Sequence, residues 1–455
     1  MSVKWGLITI ALLVIFPALW WISFKVFDCD LMCPAMLLMS GYTICAVVAF
    51  VAGFSHPHDY SLETLCVLVT GTLLFLIPSY AAYRCYASRK TALRQWRILC
   101  LHSGVLWATA LLMLIAIAVT LQVYAGLAHG RSLAENVATI RFALIDNPDF
   151  STTPVLVAAG QLKKCFVIVS YFFLYIWARN AAVRKTLFGD KLLLMNLSLS
   201  VLLLLTDGSR AGVVAFVCAG AGMWFIFDRM VNGTRVQLSG KFLMTGAAVM
   251  SLASVGFYSL LSVLGRQAQA GDSFVFTSVW EQFQIYIGAP IPLLDDFLRT
   301  ALIFGSGDLF GKESFYSLIS QLSKLQIIEV PLYSPHLEFR PEVFPGANCY
   351  TAYRSYVADF GYFGLLLCPL LFAVLANALY YAGLREVGRR VLSPWLMLYG
   401  TVVYQIFIDF ERSCFLTYWL NASVLWYLAF FAGFGYLLRR LRWLRVSEAD
   451  DGGKL

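Results

Sequence analysis

The sequence predicts an all-α, polytopic integral membrane protein of about eleven transmembrane helices, with a large, partly helical loop outside the bilayer. Three observations predict it. Of 455 residues, 60% are hydrophobic and 13% are charged, with a mean hydropathy of +0.73, whereas a soluble domain is about half apolar and a quarter charged. The apolar residues fall in runs of about twenty, the length that crosses a hydrocarbon core. The basic residues gather in alternate connections between those runs. Such a composition excludes a soluble enzyme, a disordered scaffold and a secreted disulfide framework.

The runs lie at about 5–24, 32–53, 64–83, 98–122, 154–178, 192–207, 211–227, 242–263, 353–381, 392–410 and 414–436. The first is too long for the apolar region of a signal peptide, and Lys25 follows it in place of a small-residue cleavage site, so it reads as retained. No internal repeat is visible, and residues 1–455 read as a single membrane domain.

Orientation follows from Lys and Arg. One alternate set of connections holds Lys25; Arg84, Arg89, Lys90, Arg94 and Arg97; Arg179, Arg184, Lys185 and Lys191; Arg229, Arg235 and Lys241; Arg385, Arg389 and Arg390; and Arg439, Arg440, Arg442, Arg445 and Lys454. The positive-inside rule makes this set cytoplasmic, including the tail 437–455, and an odd span count then puts the N-terminus outside. The net charge of +8 matches loops that face anionic lipid and gives no sign of nucleic-acid binding. The connection FDCDLMCP is the exception, because Asp28 and Asp30 offset Lys25.

Two outer segments are too long to be plain connectors. Residues 123–153 interleave Arg131, Glu135, Arg141, Asp146 and Asp149 with apolar residues, the pattern of an amphipathic helix at the interface. Residues 264–352 keep apolar stretches such as SFYSLISQLSKLQII and many aromatics, the pattern of a packed loop. On that side no nucleotide-activated donor is present, so chemistry there must use a group activated on a lipid.

Three places concentrate polarity. In TDGSRAG, Thr206, Asp207, Gly208, Ser209 and Arg210 alone separate two spans. Gly208 permits a tight turn, and free N–H groups at the next helix start favour an anion beside the Arg210 guanidinium. The plainer alternative is an Asp207–Arg210 pair capping a hairpin. Arg266 ends the next outward span, where a second guanidinium suits a diphosphate and a snorkelling arginine is the alternative. The third place, SPHLEFRPEVFPGANCYTAYRSYVADFGYFG, offers His336, Glu338, Arg340, Glu342, Asn348, Tyr353, Arg354 and Asp359, a density of acids, bases and hydrogen-bonding groups that suits sugar chemistry.

Other motifs fail on their spacing. In GSGDLFGKE, Gly305 and Gly311 are separated by one residue too many for a phosphate loop, and Glu313 stands where a magnesium-binding Ser or Thr is needed. Asp359-Phe360-Gly361 lacks every companion of the kinase motif. His56 and His58 read as an incidental surface pair, and His102 as a satisfied polar residue of the bundle. The eleven Cys form no metal-like cluster; a disulfide is open to Cys349 and Cys414 if both lie outside the membrane.

On TDGSRAG, Arg266 and NCYTAYRSYVADFGYFG, with the layout from about 30 to 436, the chain resembles the Wzy-type O-antigen polymerases, the oligosaccharide repeat-unit polymerases, which are related to O-antigen ligases. DLMCPAML also looks like that family's second-span start. The resemblance implies a bacterial inner-membrane glycosyltransferase with a periplasmic N-terminus and periplasmic loops at 123–153 and 264–352. Its substrates would be undecaprenyl diphosphate-linked oligosaccharides, and the reaction an inverting, metal-independent displacement of the lipid diphosphate that needs no cofactor. Arg210 and Arg266 would stabilise the developing diphosphate charge. The proton acceptor would be His336 first, then Glu338 or Glu342, while Ser209, Asn348, Tyr353, Arg354 and Asp359 would bind substrate. A chain-length regulator and a flippase are the partners such an enzyme implies, besides membrane lipid. Two alternatives remain: an O-antigen ligase acting on lipid A core, and a lipid-linked oligosaccharide flippase or other transporter. A transporter would need charged or broken helices at the bilayer midplane, and the sequence places almost no charge there.

Overall fold

The computed structural model describes residues 3–88, 96–128, 132–146, 154–208, 210–235, 279–300, 311–329, 337–387 and 389–447. In chain order these form α1 (Val3–Val26), α2 (Pro34–Ala52), α3 (Leu62–Ala87), β1 (Ile98–Leu101), α4 (Ser103–Ala128), α5 (Leu133–Asp146), α6 (Pro154–Arg184), α7 (Lys191–Leu205) and α8 (Arg210–Asn232). After the gap come α9 (Val279–Phe283), α10 (Pro290–Thr300), α11 (Tyr316–Lys324), α12 (Ala352–Val387), α13 (Pro394–Gly400), α14 (Val403–Phe407), α15 (Ser423–Arg440) and β2 (Leu444–Ser447). Among the described residues seven helices, α1, α2, α3, α4, α6, α8 and α12, are long and apolar enough to cross a membrane. The expected span at 242–263 lies outside the described residues, as do residues 264–278, 301–310 and 330–336 of the loop that follows it.

Helix starts follow local chemistry. Pro34 opens α2, where its missing N–H costs nothing. The Ser61 hydroxyl accepts from the Thr64 N–H at the start of α3, and Ser393 does the same for Leu396 in α13. His102 is exposed, and its Nδ1 accepts the Gly104 N–H at the start of α4, so it is not the bundle residue the sequence suggested. Along α1 and α4, Leu7, Val14, Trp107 and Leu111 face outward, as a lipid-facing surface requires.

The basic connections meet at one end of the bundle. There Arg229 at the end of α8 pairs with Asp28 at 3.2 Å and Asp30 at 3.0 Å. The acidic first connection is thus neutralised by a basic residue of its own end. Asn180 bonds both the N–H and the carbonyl of Leu99, and Arg179 reaches the carbonyls of Val391 and Arg97. A two-stranded antiparallel sheet pairs Ile98 with Ser447 and Leu101 with Leu444. The sequence alone does not show this sheet, because 98–101 continues an apolar run and 444–447 lies in a basic tail.

At the opposite end helices break. Residues 392–410, expected as one span, are α13, α14 and a 3-10 turn at Ile408–Phe410. Residues 414–436 begin with a π turn, Phe415–Trp419, before α15 starts at Ser423. The expected span 353–381 is the largest correction. α12 is bent at Gly361, whose φ of 61° and ψ of −154° are essentially confined to glycine. Beyond the bend α12 runs parallel to α3, with Tyr362 on Glu63, Phe75 on Phe372 and Asn377 on Ser79. Before the bend the chain doubles back, for Tyr353 meets Gly71 and Thr72, about 12–14 Å deeper than Glu63 at 1.5 Å per residue. Residues 352–360 therefore form a re-entrant leg that does not cross the bundle, and protein surrounds it, as buried irregular backbone at membrane depth requires.

A helix, α5, is present within 123–153. α5 packs Val137 and Ile140 on Tyr124 of α4 and Leu156 of α6. Arg141 donates to the Gly208 carbonyl at 2.6 Å, tying α5 to the turn between α7 and α8.

Candidate functional site

The site is assembled at the end where α2 stops and α3 begins. Its anchor is Asp295 of α10, whose side chain is 0% exposed. Oδ1 accepts from the Ser61 N–H and hydroxyl, both at 2.7 Å, and from the Thr64 hydroxyl at 2.6 Å. Oδ2 meets His58 Nε2 at 2.9 Å and Arg299 Nε at 2.8 Å. Burial pushes the carboxyl up, but the hydrogen bonds from His58, Thr64 and Ser61 outweigh it and hold the group at about 2. His56 turns away and packs on Phe344, ring centres 4.6 Å apart, so the two histidines do not form a pair. Among the described residues no group of three or more His, Cys, Asp or Glu is placed to hold a metal ion.

The anchored α10 presents Phe297 to Arg354, whose guanidinium lies 4.9 Å from that ring and 5.1 Å from Tyr350. Arg354 is on the re-entrant leg, 9% exposed, and its Nη1 pairs with Glu313 Oε2. The segment rejected as a phosphate loop supplies that glutamate. Gly311, at φ 83°, starts a turn whose Glu313 and Ser314 N–H groups donate to Asp359. Those N–H groups thus bind a carboxylate of the protein itself, and the turn is fixed to the re-entrant leg at both ends. Arg340 joins Glu338 at 3.3 Å, with Glu342 and Asp296 each at 3.8 Å.

Beside this cluster lies a small cleft of about 40 Å3, lined by Glu313, Leu337, Asn348, Ser355, Arg412, Ser413, Thr417 and Tyr418. Arg412 donates through Nε at 2.9 Å to Glu411, which also accepts from Cys349 Sγ. Cys349 and Cys414 are both free and buried, so the disulfide left open by the sequence is not formed. Burial pushes the Cys349 thiol up, as expected for an inert buried cysteine. Deeper in the bundle, Asp409 is 1% exposed; its Oδ2 accepts from Tyr42 at 3.2 Å, and Tyr42 stacks on Tyr353. Asp409 is a buried carboxyl inside the bundle, in a chain whose sequence places almost no charge at the midplane.

The structure brings together Glu338, Glu342, Asn348, Arg354 and Asp359, all within or beside the cleft cluster. Tyr353 is internal, between Tyr42 and Tyr356. Arg210 begins α8, and its side chain lies outside the described residues, as do Ser209, Arg266 and His336 in full. α8 runs antiparallel to α13 and α14, with Gly222 against Val403 and Gly400 against Met223. Arg210 therefore stands at the cleft end of the bundle. Asp207 pairs with Lys163, and the Asp207–Arg210 pair considered from sequence falls on the Arg210 side chain, outside the described residues.

Sequence reasoning missed Glu313, Glu411 and Arg412. The signal for the last two was IDFERSC, three charges inside an apolar run, which is costly in a membrane without a functional or structural partner. Glu313 carries no comparable signal, because GSGDLFGKE is a polar stretch in which a glutamate is unremarked. No protein-family model, no curated protein and no solved structure matches this chain.

Proposed function

We propose that the protein is a multi-pass enzyme of the bacterial inner membrane that polymerises undecaprenyl diphosphate-linked oligosaccharide repeat units at the periplasmic face. The observation that carries this reading is the cleft. It combines hydrogen-bonding groups suited to hydroxyls (Asn348, Ser355, Ser413, Thr417), an aromatic wall (Tyr418) and a guanidinium (Arg412), at the end opposite the basic connections. With that end periplasmic, the N-terminus is outside and the C-terminus inside.

The growing glycan moves from its lipid diphosphate to a hydroxyl of the next lipid-linked unit, with inversion and without a metal. Arg210 and Arg266, joined by Arg412, oppose charge that grows on the departing diphosphate, and help of that kind acts on the transition state. Arg354, held by Glu313 and two aromatic rings, orients the re-entrant leg that forms one wall. The reading rests on the family resemblance and on this chemistry together.

A second reading, a lipid-linked oligosaccharide carrier, draws on Asp409 and the broken helices around it. Deletion of the gene and separation of lipopolysaccharide on a gel divides the readings. A single capped repeat unit is expected for a polymerase. Bare core with accumulated lipid-linked polymer would mean a ligase, and bare core without polymer a carrier. Arg210→Ala, inserted in the membrane, is expected to reproduce the single-unit pattern; long chains from that variant would count against the assignment.

A further inference from the structure

We infer that Glu313 is the proton acceptor for the attacking hydroxyl, an assignment that rests on the polymerase reading and names its missing base. The argument is by placement. Glu313 lines the cleft, beside Asn348 and Ser355, and its side chain is 18% exposed. The other carboxylates described near it do not line the cleft. Asp359 is occupied by the N–H groups of Glu313 and Ser314. Glu411 is held by Arg412 and Cys349. Glu338 and Glu342, the acids favoured from sequence, are 48% and 61% exposed and gather on Arg340.

The local structure holds Glu313 in place, as a base must be held. Its own N–H is fixed to Asp359, its neighbour Ser314 is bonded to Asp359 and to the Ser355 carbonyl, and Thr417 donates to its carbonyl. Arg354 engages Oε2. Burial raises the carboxyl, and Arg354 opposes that shift without cancelling it, which leaves a stronger base than an ordinary surface glutamate.

The step balances within the two substrates and this side chain. The acceptor O–H bond breaks and its proton passes to the Glu313 carboxylate. The oxygen's electron pair forms the new bond to the anomeric carbon, while the carbon–oxygen bond to the diphosphate breaks and its electrons leave with the lipid diphosphate. Arg354 then faces a neutral acid, and loss of the proton to water restores the pair.

The test uses full-length protein in bilayer discs with a synthetic undecaprenyl diphosphate-linked repeat unit, and reads kcat and KM against pH. Wild-type kcat is expected to rise with pH through the Glu313 titration, above the ordinary carboxylate range. Glu313→Gln is expected to lower kcat by about 10²–10⁴-fold with KM within about threefold, and to remove the acid limb. Glu313→Asp is expected to restore part of kcat together with that limb, whereas Glu338→Gln and Glu342→Gln keep the limb in place. A Glu313→Gln enzyme with wild-type kcat, or one that loses kcat while keeping the acid limb, would overturn the assignment. Should that variant not fold, a wild-type profile without an acid limb would overturn it equally. A wild-type protein that forms no polymer sinks the functional reading as well, so the two failures are distinguishable.

Discussion

The two ends of the bundle are built from the same residue types to different effect. At the basic end, arginines meet backbone carbonyls and acids of the same end: Arg229 binds Asp28 and Asp30, Arg179 the Val391 and Arg97 carbonyls, and Arg184 Asp190. Helices there are continuous, and a small sheet ties two connections together. At the cleft end, guanidiniums meet carboxylates beside open space, and the backbone breaks at Gly361, at Ile408–Phe410 and at Phe415–Trp419. Charge at the first end joins helices to each other. At the second it borders a small cleft, and the broken backbone lets side chains distant in sequence, from Glu313 to Tyr418, line it together.

Paired substitutions sharpen that contrast. Removing one partner of a buried ion pair costs about 3–5 kcal/mol and of a partly exposed one less, so Arg354→Ala, and to a smaller extent Arg229→Ala, should lower the thermal unfolding midpoint in detergent. Only Arg354→Ala is expected to lower polymerisation by the folded fraction, by about 100-fold or more, as loss of a positioned charge at a reacting site does. Equal loss of turnover per folded molecule in both variants would erase the distinction between the ends.

A smaller effect is expected at the anchor beneath the site. Asp295→Asn keeps the shape but weakens hydrogen bonds to a charged acceptor, at a cost of about 1.5–3 kcal/mol. Because the folded carboxyl is lowered from 3.8 to about 2, its contribution is complete above about pH 3.8 and is lost as pH falls toward about 2. Unfolding midpoints measured from neutral pH down into that window should fall more steeply for wild type than for Asp295→Asn. Parallel slopes would remove Asp295 as the anchor. The smallest effect belongs to Arg390, an exposed partner of Glu386 at the basic end: Arg390→Ala should change stability by less than about 0.5 kcal/mol and leave chain length alone.

Much of this layout was legible in the sequence because burial in lipid leaves a strong signature. Runs of about twenty apolar residues identified the helices α1 to α4, α6 and α8, and the alternation of basic residues identified the end where their connections meet. The breaks were not legible. Apolar content is the same in a straight span and in a re-entrant leg, so DFGYFG read as the start of one helix, although it contains the bend. The sheet was lost for a related reason, since ILCL continues an apolar run and only its partner LRVS, in the distant tail, makes it a strand. Within the site, Arg354, Asn348 and Asp359 were visible as polar residues gathered in one stretch. Glu313 and Arg412 were not, because each joins the cleft only when a segment far away in sequence folds beside it.

The central claim is that the cleft end joins lipid-linked sugars. The most direct measurement incubates purified wild-type protein in bilayer discs with undecaprenyl diphosphate-linked repeat units alone, with no nucleotide and no added metal. A ladder of lipid-linked chains longer than one unit, with release of undecaprenyl diphosphate, is the expected result. Intact single units after prolonged incubation with folded protein would contradict the account.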